Sequence, residues 1–299
     1  MKPFASIFAA AVVFGAQAQN VVLSNDDGWA VAAVRAFDNA LKGNGYQVVL
    51  SCPAVDKSGT GSSTATPTTL STPCEFNTCP VGSPATGHNA SDPFLNYVNA
   101  FPADAARFGI QNFAPQLLGG VPDILVAGPN VGNNLGNTVQ ISGTVGAACE
   151  AALLGVPSIA FSGSGSSLSL VSYTTLDTSP TSTASRAALI YASLSTTFVN
   201  ALIKDVDTNS TPILPRGIVL NVNYPSINNG CDDPQAYSFV LSRILQNDGA
   251  TDVSTCGSDH LPTETSVVNT SGCFASVSVF NASTKADVDA DTQALCWIG

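Results

Sequence analysis

Val21-Val22-Leu23-Ser24-Asn25-Asp26-Asp27-Gly28 is an apolar, β-branched run that ends in an amide, two adjacent carboxylates and a glycine. Such a run reads as a buried parallel strand, and in open α/β sheets ligands gather beyond the carboxyl ends of those strands. Asn-Asp-Asp-Gly also suits an ordinary turn, since Asn and Asp bond their own backbone and Gly accepts positive φ. The following segments tip the balance. Val31 to Leu41 carries apolar residues at helical spacing and stops at Lys42-Gly43, and Val48-Val49-Leu50 reads as a second buried strand. Strand, helix, strand in that order predicts a βαβ unit in a parallel sheet. The loop from Asp56 to Ser63 then leaves the second strand near the first loop.

Further along, Asp123 to Ala127 reads as a third strand, leading into Gly128 to Gly136, too rich in Gly and Asn for a helix. Ser142-Gly143-Thr144 precedes an Ala-rich helical pattern from Val145 to Leu154, and Ser158 to Phe161 reads as a strand. Gly163 to Ser185 is Ser/Thr-rich and reads as a loop or lid before a helix from about Ala184 to Ile203. Gly217 to Val222 makes another strand; after Pro225 the pattern fades into short β-like pieces, notably Ser276 to Phe280. The fold expected is a Rossmann-like three-layer α/β sandwich, its sheet mainly parallel, with a small β-rich C-terminal extension. Residues 19–225 form the core and residues 226–299 the extension of the same domain.

Residues 1–18, with Lys2, an apolar run and Ala16-Gln17-Ala18, match a secretory signal peptide cleaved before Gln19. No later segment reads as a membrane span, so no membrane attachment is expected after cleavage. The eight cysteines all follow the leader, which in an oxidising compartment favours disulfides. Cys74 and Cys79 can close a small loop, whereas Cys149 reads as a buried helical residue. Sequons begin at Asn89, Asn209, Asn269 and Asn281 and together suit a secreted, glycosylated protein in a eukaryotic host. The net charge of -11, with ten Lys and Arg, excludes a nucleic-acid scaffold, because phosphate backbones require a basic surface.

Three loops after parallel strands therefore bring Asp26 and Asp27, Ser58 and Asn130 towards one place. These are hard oxygen donors, suited to Mg²⁺ or Mn²⁺, with Ca²⁺ as a further candidate. With two histidines in the chain, a His-rich metal site is excluded. A magnesium-like ion commonly shares its shell with a substrate phosphate. The helix start at Ser142 to Thr144 and the Gly-Asn loop can cradle that phosphate.

These blocks resemble the SurE phosphatases, a family of metal-dependent nucleotidases and acid phosphatases. The resemblance runs through residues 23–28, Ser58-Gly59, Gly82-Ser83-Pro84-Ala85, Pro122-Asp123-Ile124, and Gly128-Pro129-Asn130-Val131-Gly132 with Asn134-Leu135-Gly136. It continues at Ser142-Gly143-Thr144-Val145 and at Leu220-Asn221-Val222-Asn223 with Pro225. It implies a phosphomonoester hydrolase of acid phosphatase or 5′/3′-nucleotidase type, acting on a small phosphorylated substrate with a divalent metal held by Asp26, Asp27, Ser58 and Asn130. Asp26 is assigned to the attacking water and Asp27 to the firmer metal contact, an assignment that can be reversed. Asn25, Ser62, Asn134, Ser142, Gly143 and Thr144 are further candidates for holding phosphate; Ser142 equally suits a simple helix N-cap. The family often dimerises through its C-terminal third, where the match is weakest, which leaves a homodimer open. Lys57 replaces the arginine that often precedes the Ser-Gly pair, and Pro129 the aliphatic residue before the asparagine. The leader, sequons and cysteines look like those of secreted fungal relatives.

Two other readings compete. A secreted serine hydrolase needs His88 or His260 as base and has no Gly-x-Ser-x-Gly elbow after a strand. A non-catalytic secreted glycoprotein could keep the fold without the chemistry.

Overall fold

The computed structural model describes residues 19–204, 206, 212–228 and 230–296. The leader and the Asn209 sequon lie outside them. The strands are β1 (Asn20–Ser24), β2 (Gln47–Pro53), β3 (Thr86–Asn89), β4 (Asp92–Val98), β5 (Ile124–Val131), β6 (Ser158–Gly163), β7 (Ile218–Asn223), β8 (Ser238–Ser242) and β9 (Phe274–Asn281). The helices are α1 (Ala32–Gly43), α2 (Pro102–Phe108), α3 (Ala114–Leu117), α4 (Thr138–Ile141), α5 (Gly143–Leu153), α6 (Thr175–Thr178), α7 (Thr183–Ile203), α8 (Glu264–Asn269) and α9 (Ala290–Cys296).

All nine strands share one sheet in the order β3-β4-β2-β1-β5-β6-β7-β9-β8. From β4 to β7 neighbouring strands run parallel, while β3 and β9 are antiparallel to β4 and β7. Alternate side chains feed two cores. Val21 and Leu23 of β1 join Phe37 of α1 and Tyr191 and Phe198 of α7 on one face. Val22 packs with Val145 and Ala148 of α5 on the other. Both faces are covered, which is why the central strands are apolar without interruption. The three-layer α/β fold expected from the sequence is the one observed.

Three local readings change. Residues 128–131 belong to β5 and not to the following loop, because the ladder to β6 breaks after Ala127 and resumes at Asn130↔Ser162. Gly128 and Pro129 occupy the irregularity, and Pro129 has no N–H to give the ladder. The stretch 163–185 contains α6. Helix α7 is long and apolar enough to cross a membrane by composition, contrary to the sequence reading, but two thirds (67%) of its apolar window is buried inside the protein.

Cys74–Cys79 and Cys231–Cys273 are disulfides, and Cys149 is a buried free thiol. The second bridge spans 42 residues. On loop-closure grounds its replacement by serines should lower unfolding stability by about 2–4 kcal/mol. Urea denaturation of the Cys231→Ser/Cys273→Ser variant checks this.

Candidate active site

The strand order turns in opposite directions from β1: β2 lies on one side and β5 on the other. Ligand crevices of open α/β sheets form at the carboxyl ends of strands at such a switch point. The chain places Asn25, Asp26 and Asp27 directly after β1 and Asn130 near the end of β5. Asp26 and Asp27 are 2% and 1% exposed. Gly28, with φ of 108°, turns the chain away; any Cβ there would stand 2.0 Å from a Glu75 carboxylate oxygen. The Asn25 side chain clamps that turn, donating to the Gly28 carbonyl at 2.9 Å and accepting its N–H at 3.3 Å.

Each carboxylate is anchored through one oxygen. Asp27 Oδ2 accepts the Val131 N–H at 2.9 Å. Asp26 Oδ1 accepts the Thr144 hydroxyl, which also lies 3.1 Å from Asn130 Oδ1. The Asn130 amide donates to the Gly132 carbonyl at 2.6 Å, which leaves its Oδ1 as the donor atom for a cation. Ser142 caps α5 by accepting the Val145 N–H at 3.1 Å. Gly143 lets the helix start against Asp26: a Cβ there would be 2.8 Å from the Asp26 Cβ and 2.9 Å from its Oδ2. Gly143→Ala should therefore displace the Asp26 carboxylate and lower kcat/KM by about 10²-fold, the scale of a 1 Å misplacement. Steady-state kinetics, with circular dichroism to confirm folding, check this.

Of the sequence-derived candidates, Asp26, Asn130 and Thr144 form one hydrogen-bonded group, Asp27 is held beside it by the Val131 N–H, and Ser142 and Gly143 open the helix against it. Ser58 and Ser62 lie on the exposed rim. Ser58 turns its hydroxyl and N–H to Asp56 Oδ1, at 2.7 and 2.8 Å, and reaches none of the other three. The loop that carries it is nonetheless tied to the site, since Lys57 N–H donates to the Asp26 carbonyl at 2.8 Å and Gly61 N–H to Ile141 at 2.8 Å. Asn134 donates to Ser162 at 2.9 Å, its N–H donates to Asn223 and its carbonyl accepts from Asn221.

Burial raises the proton affinity of Asp26, and of Asp27 more strongly, where the Asp26 charge adds to it. Among the described residues no cationic side chain is paired with either. Two buried carboxylates without a counter-charge, facing an amide oxygen, fit a hard divalent cation. Among the described residues no group of three His, Cys, Asp or Glu is arranged to hold a metal. The set reaches a usable number of donors only with the Asn130 amide, a hydroxyl and water.

Three acidic residues escaped the sequence reading. Asp56 sits close enough to raise the affinities of Asp26, Asp27 and Glu75 for protons. Glu75, in the loop closed by Cys74–Cys79, is pushed up to about 7 by burial and then by Asp56. Glu264 opens α8 and is wholly buried; it accepts the Gly136 N–H at 2.6 Å, Asn221 at 2.9 Å and Ser278 at 3.1 Å. It fixes the far end of the Asn133–Gly136 loop. No local pattern marks any of the three.

His260 Nδ1 pairs with Asp259 at 2.7 Å on the surface, and among the described residues no serine hydroxyl bonds a histidine ring nitrogen. The serine-hydrolase arrangement is not assembled.

Buried carboxylates at the β1/β5 switch point, beside the N-terminus of α5, mark the candidate site of a Rossmann-like α/β protein. The chain belongs to the Survival protein SurE family, whose profile matches residues 21–248. It is 35% identical over 287 residues to an acid phosphatase of Yarrowia lipolytica (strain CLIB 122 / E 150), a match covering 87% of this chain and 78% of that one. It is 30% identical over 208 residues to the 5'-nucleotidase SurE of Lawsonia intracellularis (strain PHE/MN1-00), over 70% of this chain and 66%, just under two thirds, of that protein. The crystal structure of the SurE protein from Aquifex aeolicus shares the fold, with a TM-score of 0.58 at 22% identity over 88% of this chain and 93% of that one.

Proposed function

We propose that this chain is a phosphate-monoester hydrolase, of acid phosphatase or nucleotidase type, that works with a divalent cation held by Asp26, Asp27 and Asn130, with Ser58 from the rim. The observation that carries the reading is the pair of buried, uncompensated carboxylates at the β1/β5 switch point beside the start of α5. Relatives named acid phosphatase and 5'-nucleotidase support it. When bound, the cation supplies Lewis-acid polarisation of the phosphoryl oxygens and a water of lowered pKa. The chain does the rest. The start of α5 turns its favourable dipole towards a phosphate oxygen, while the Thr144 hydroxyl stays on Asp26 and holds that carboxylate in place. Asp26, anchored through Oδ1, has Oδ2 available to orient the attacking water and take its proton. Asp27, locked by Val131, is the firmer anchor for the cation. Secretion and glycosylation at Asn89, Asn209 and Asn281 belong to the same proposal, supported by the leader-like residues 1–18 and the two disulfides, whereas Asn269, which lines a cleft, is taken as unmodified.

The test is phosphate release from p-nitrophenyl phosphate and nucleoside monophosphates with EDTA, Mg²⁺ or Mn²⁺. Release that stops in EDTA and returns with either metal is the expected result; a chain that releases phosphate from none of them is a binding protein.

A further inference from the structure

Next to the crevice, on the same edge of the sheet, the loops that follow β5, β6 and β7 enclose a second cleft of about 470 Å³, within the ~300–1,000 Å³ range of ligand pockets. Its wall runs through Asn133 after β5, Ser164 and Ser166 after β6, Ser226 and Asn228 after β7, and Asn269 to Gly272 at the end of α8. Asn133 is three residues past Asn130, just beyond the end of β5, and its amide is fixed by the Tyr224 carbonyl at 2.9 Å. Ser164 and Ser166 bond one another at 2.9 Å, and the Gly132 N–H donates to the Gly163 carbonyl at 3.0 Å, so the β5 and β6 loops lie together. The Cys231–Cys273 bridge ties down the outer wall, with Cys231 itself part of the lining.

The chemistry of this wall is selective. Among the described residues that line it there is no Lys, Arg, His, Asp or Glu and no aromatic ring. Without a cation it offers a second phosphate no charge-assisted partner, and without a ring it has no stacking surface for a nucleobase. Hydroxyls and amides both donate and accept, which matches an uncharged ligand dense in hydroxyl groups. Most ligand pockets are largely apolar; this one is not. We propose that this cleft receives the leaving group of the reaction, and that the preferred substrates are phosphate monoesters of polyhydroxylated alcohols, sugars or polyols, rather than polyphosphates or nucleotides. The inference rests on the phosphatase reading above and adds the substrate class to it.

The experiment compares kcat/KM for glucose 6-phosphate, adenosine 5′-monophosphate and methyl phosphate, with metal in excess, in the wild type and in Ser166→Leu and Asn228→Leu. Both side chains are exposed, so the fold should tolerate either change. The wild type should favour glucose 6-phosphate. Each variant should lose about tenfold more on that ester than on methyl phosphate, the scale of one or two lost hydrogen bonds. Equal efficiency on all three esters, or equal losses on all three in the variants, would overturn the cleft's role and leave the phosphatase reading standing. Release from none of them would overturn that reading and this one with it. A readout without metal accompanies the kinetics: saturation-transfer NMR to methyl glucoside should be seen in the wild type and weakened in both variants, and its absence in the wild type would overturn the proposal. Asn269 also heads a sequon, so the peptide carrying it is weighed in the same preparation; a glycan there would fill the cleft and equally overturn it.

Discussion

Asp27→Asn is expected to lower kcat on p-nitrophenyl phosphate by about 10³-fold or more, because it removes half of the charge that binds the cation while keeping the side chain's shape. The amide can rotate its oxygen towards Val131, so the Asp27 hydrogen bond at the crevice floor survives. The fold has little to lose, since a buried carboxylate with no counter-charge is itself a cost. The wild type should also gain stability on adding Mg²⁺ or Mn²⁺, by about 2.7 kcal/mol or ~5–10 °C at a hundredfold excess over Kd. The variant should show almost no such shift. Thermal melts with and without metal, beside the kinetics, separate a lost cation from a lost fold; a variant that melts earlier without metal and still shifts fully with it would refute the assignment of Asp27.

Glu264 gives the second large effect, and it concerns stability. Glu264→Ala would orphan the Gly136 N–H and take one of two partners from the Asn221 amide, which keeps the Asn134 carbonyl, and from the Ser278 hydroxyl, which keeps Ser242, at about 1–3 kcal/mol for each buried group left unsatisfied. Glu264→Gln keeps the shape and an acceptor oxygen and should fold. Burial pushes the Glu264 carboxyl up to about 8. Its folded-state proton affinity thus exceeds that of the unfolded chain. The stability it contributes is complete below about pH 4.5, the ordinary glutamate range, and is lost as pH rises through about 8. The wild type should accordingly lose a few kcal/mol between pH 5 and pH 8 from this group, with Glu75 adding to the trend. Glu264→Gln should flatten the curve over that window. Urea midpoints across pH for both proteins decide it, and an unchanged slope would show that Glu264 is not the titrating group. Greater stability in acid also suits a chain whose sequence pI is about 4.2.

The central βαβ unit was legible because its strands are buried on both faces and therefore apolar throughout. Val21, Val22 and Leu23 announce the strand whichever core they face. The carboxylates were legible because they follow that strand directly. What was hidden depends on contacts far apart in the chain. Glu264 meets Gly136 across 128 residues, and Glu75 meets Gly28 only because a disulfide loop folds back over the turn. The reach of β5 through Val131 was masked by Gly128 and Pro129, residues that ordinarily end strands and here fill an irregularity in the ladder. Ser58 shows the opposite case: its position near the crevice followed from topology, while its hydroxyl is turned to Asp56 by a local bond that no strand pattern encodes.

The most direct measurement is a Mn²⁺ titration followed by electron paramagnetic resonance, with phosphate release recorded on the same samples. Activity should rise in step with binding of Mn²⁺ at a site that Asp27→Asn abolishes. Phosphate release that persists in EDTA, or Mn²⁺ binding undiminished in Asp27→Asn, would contradict this expectation.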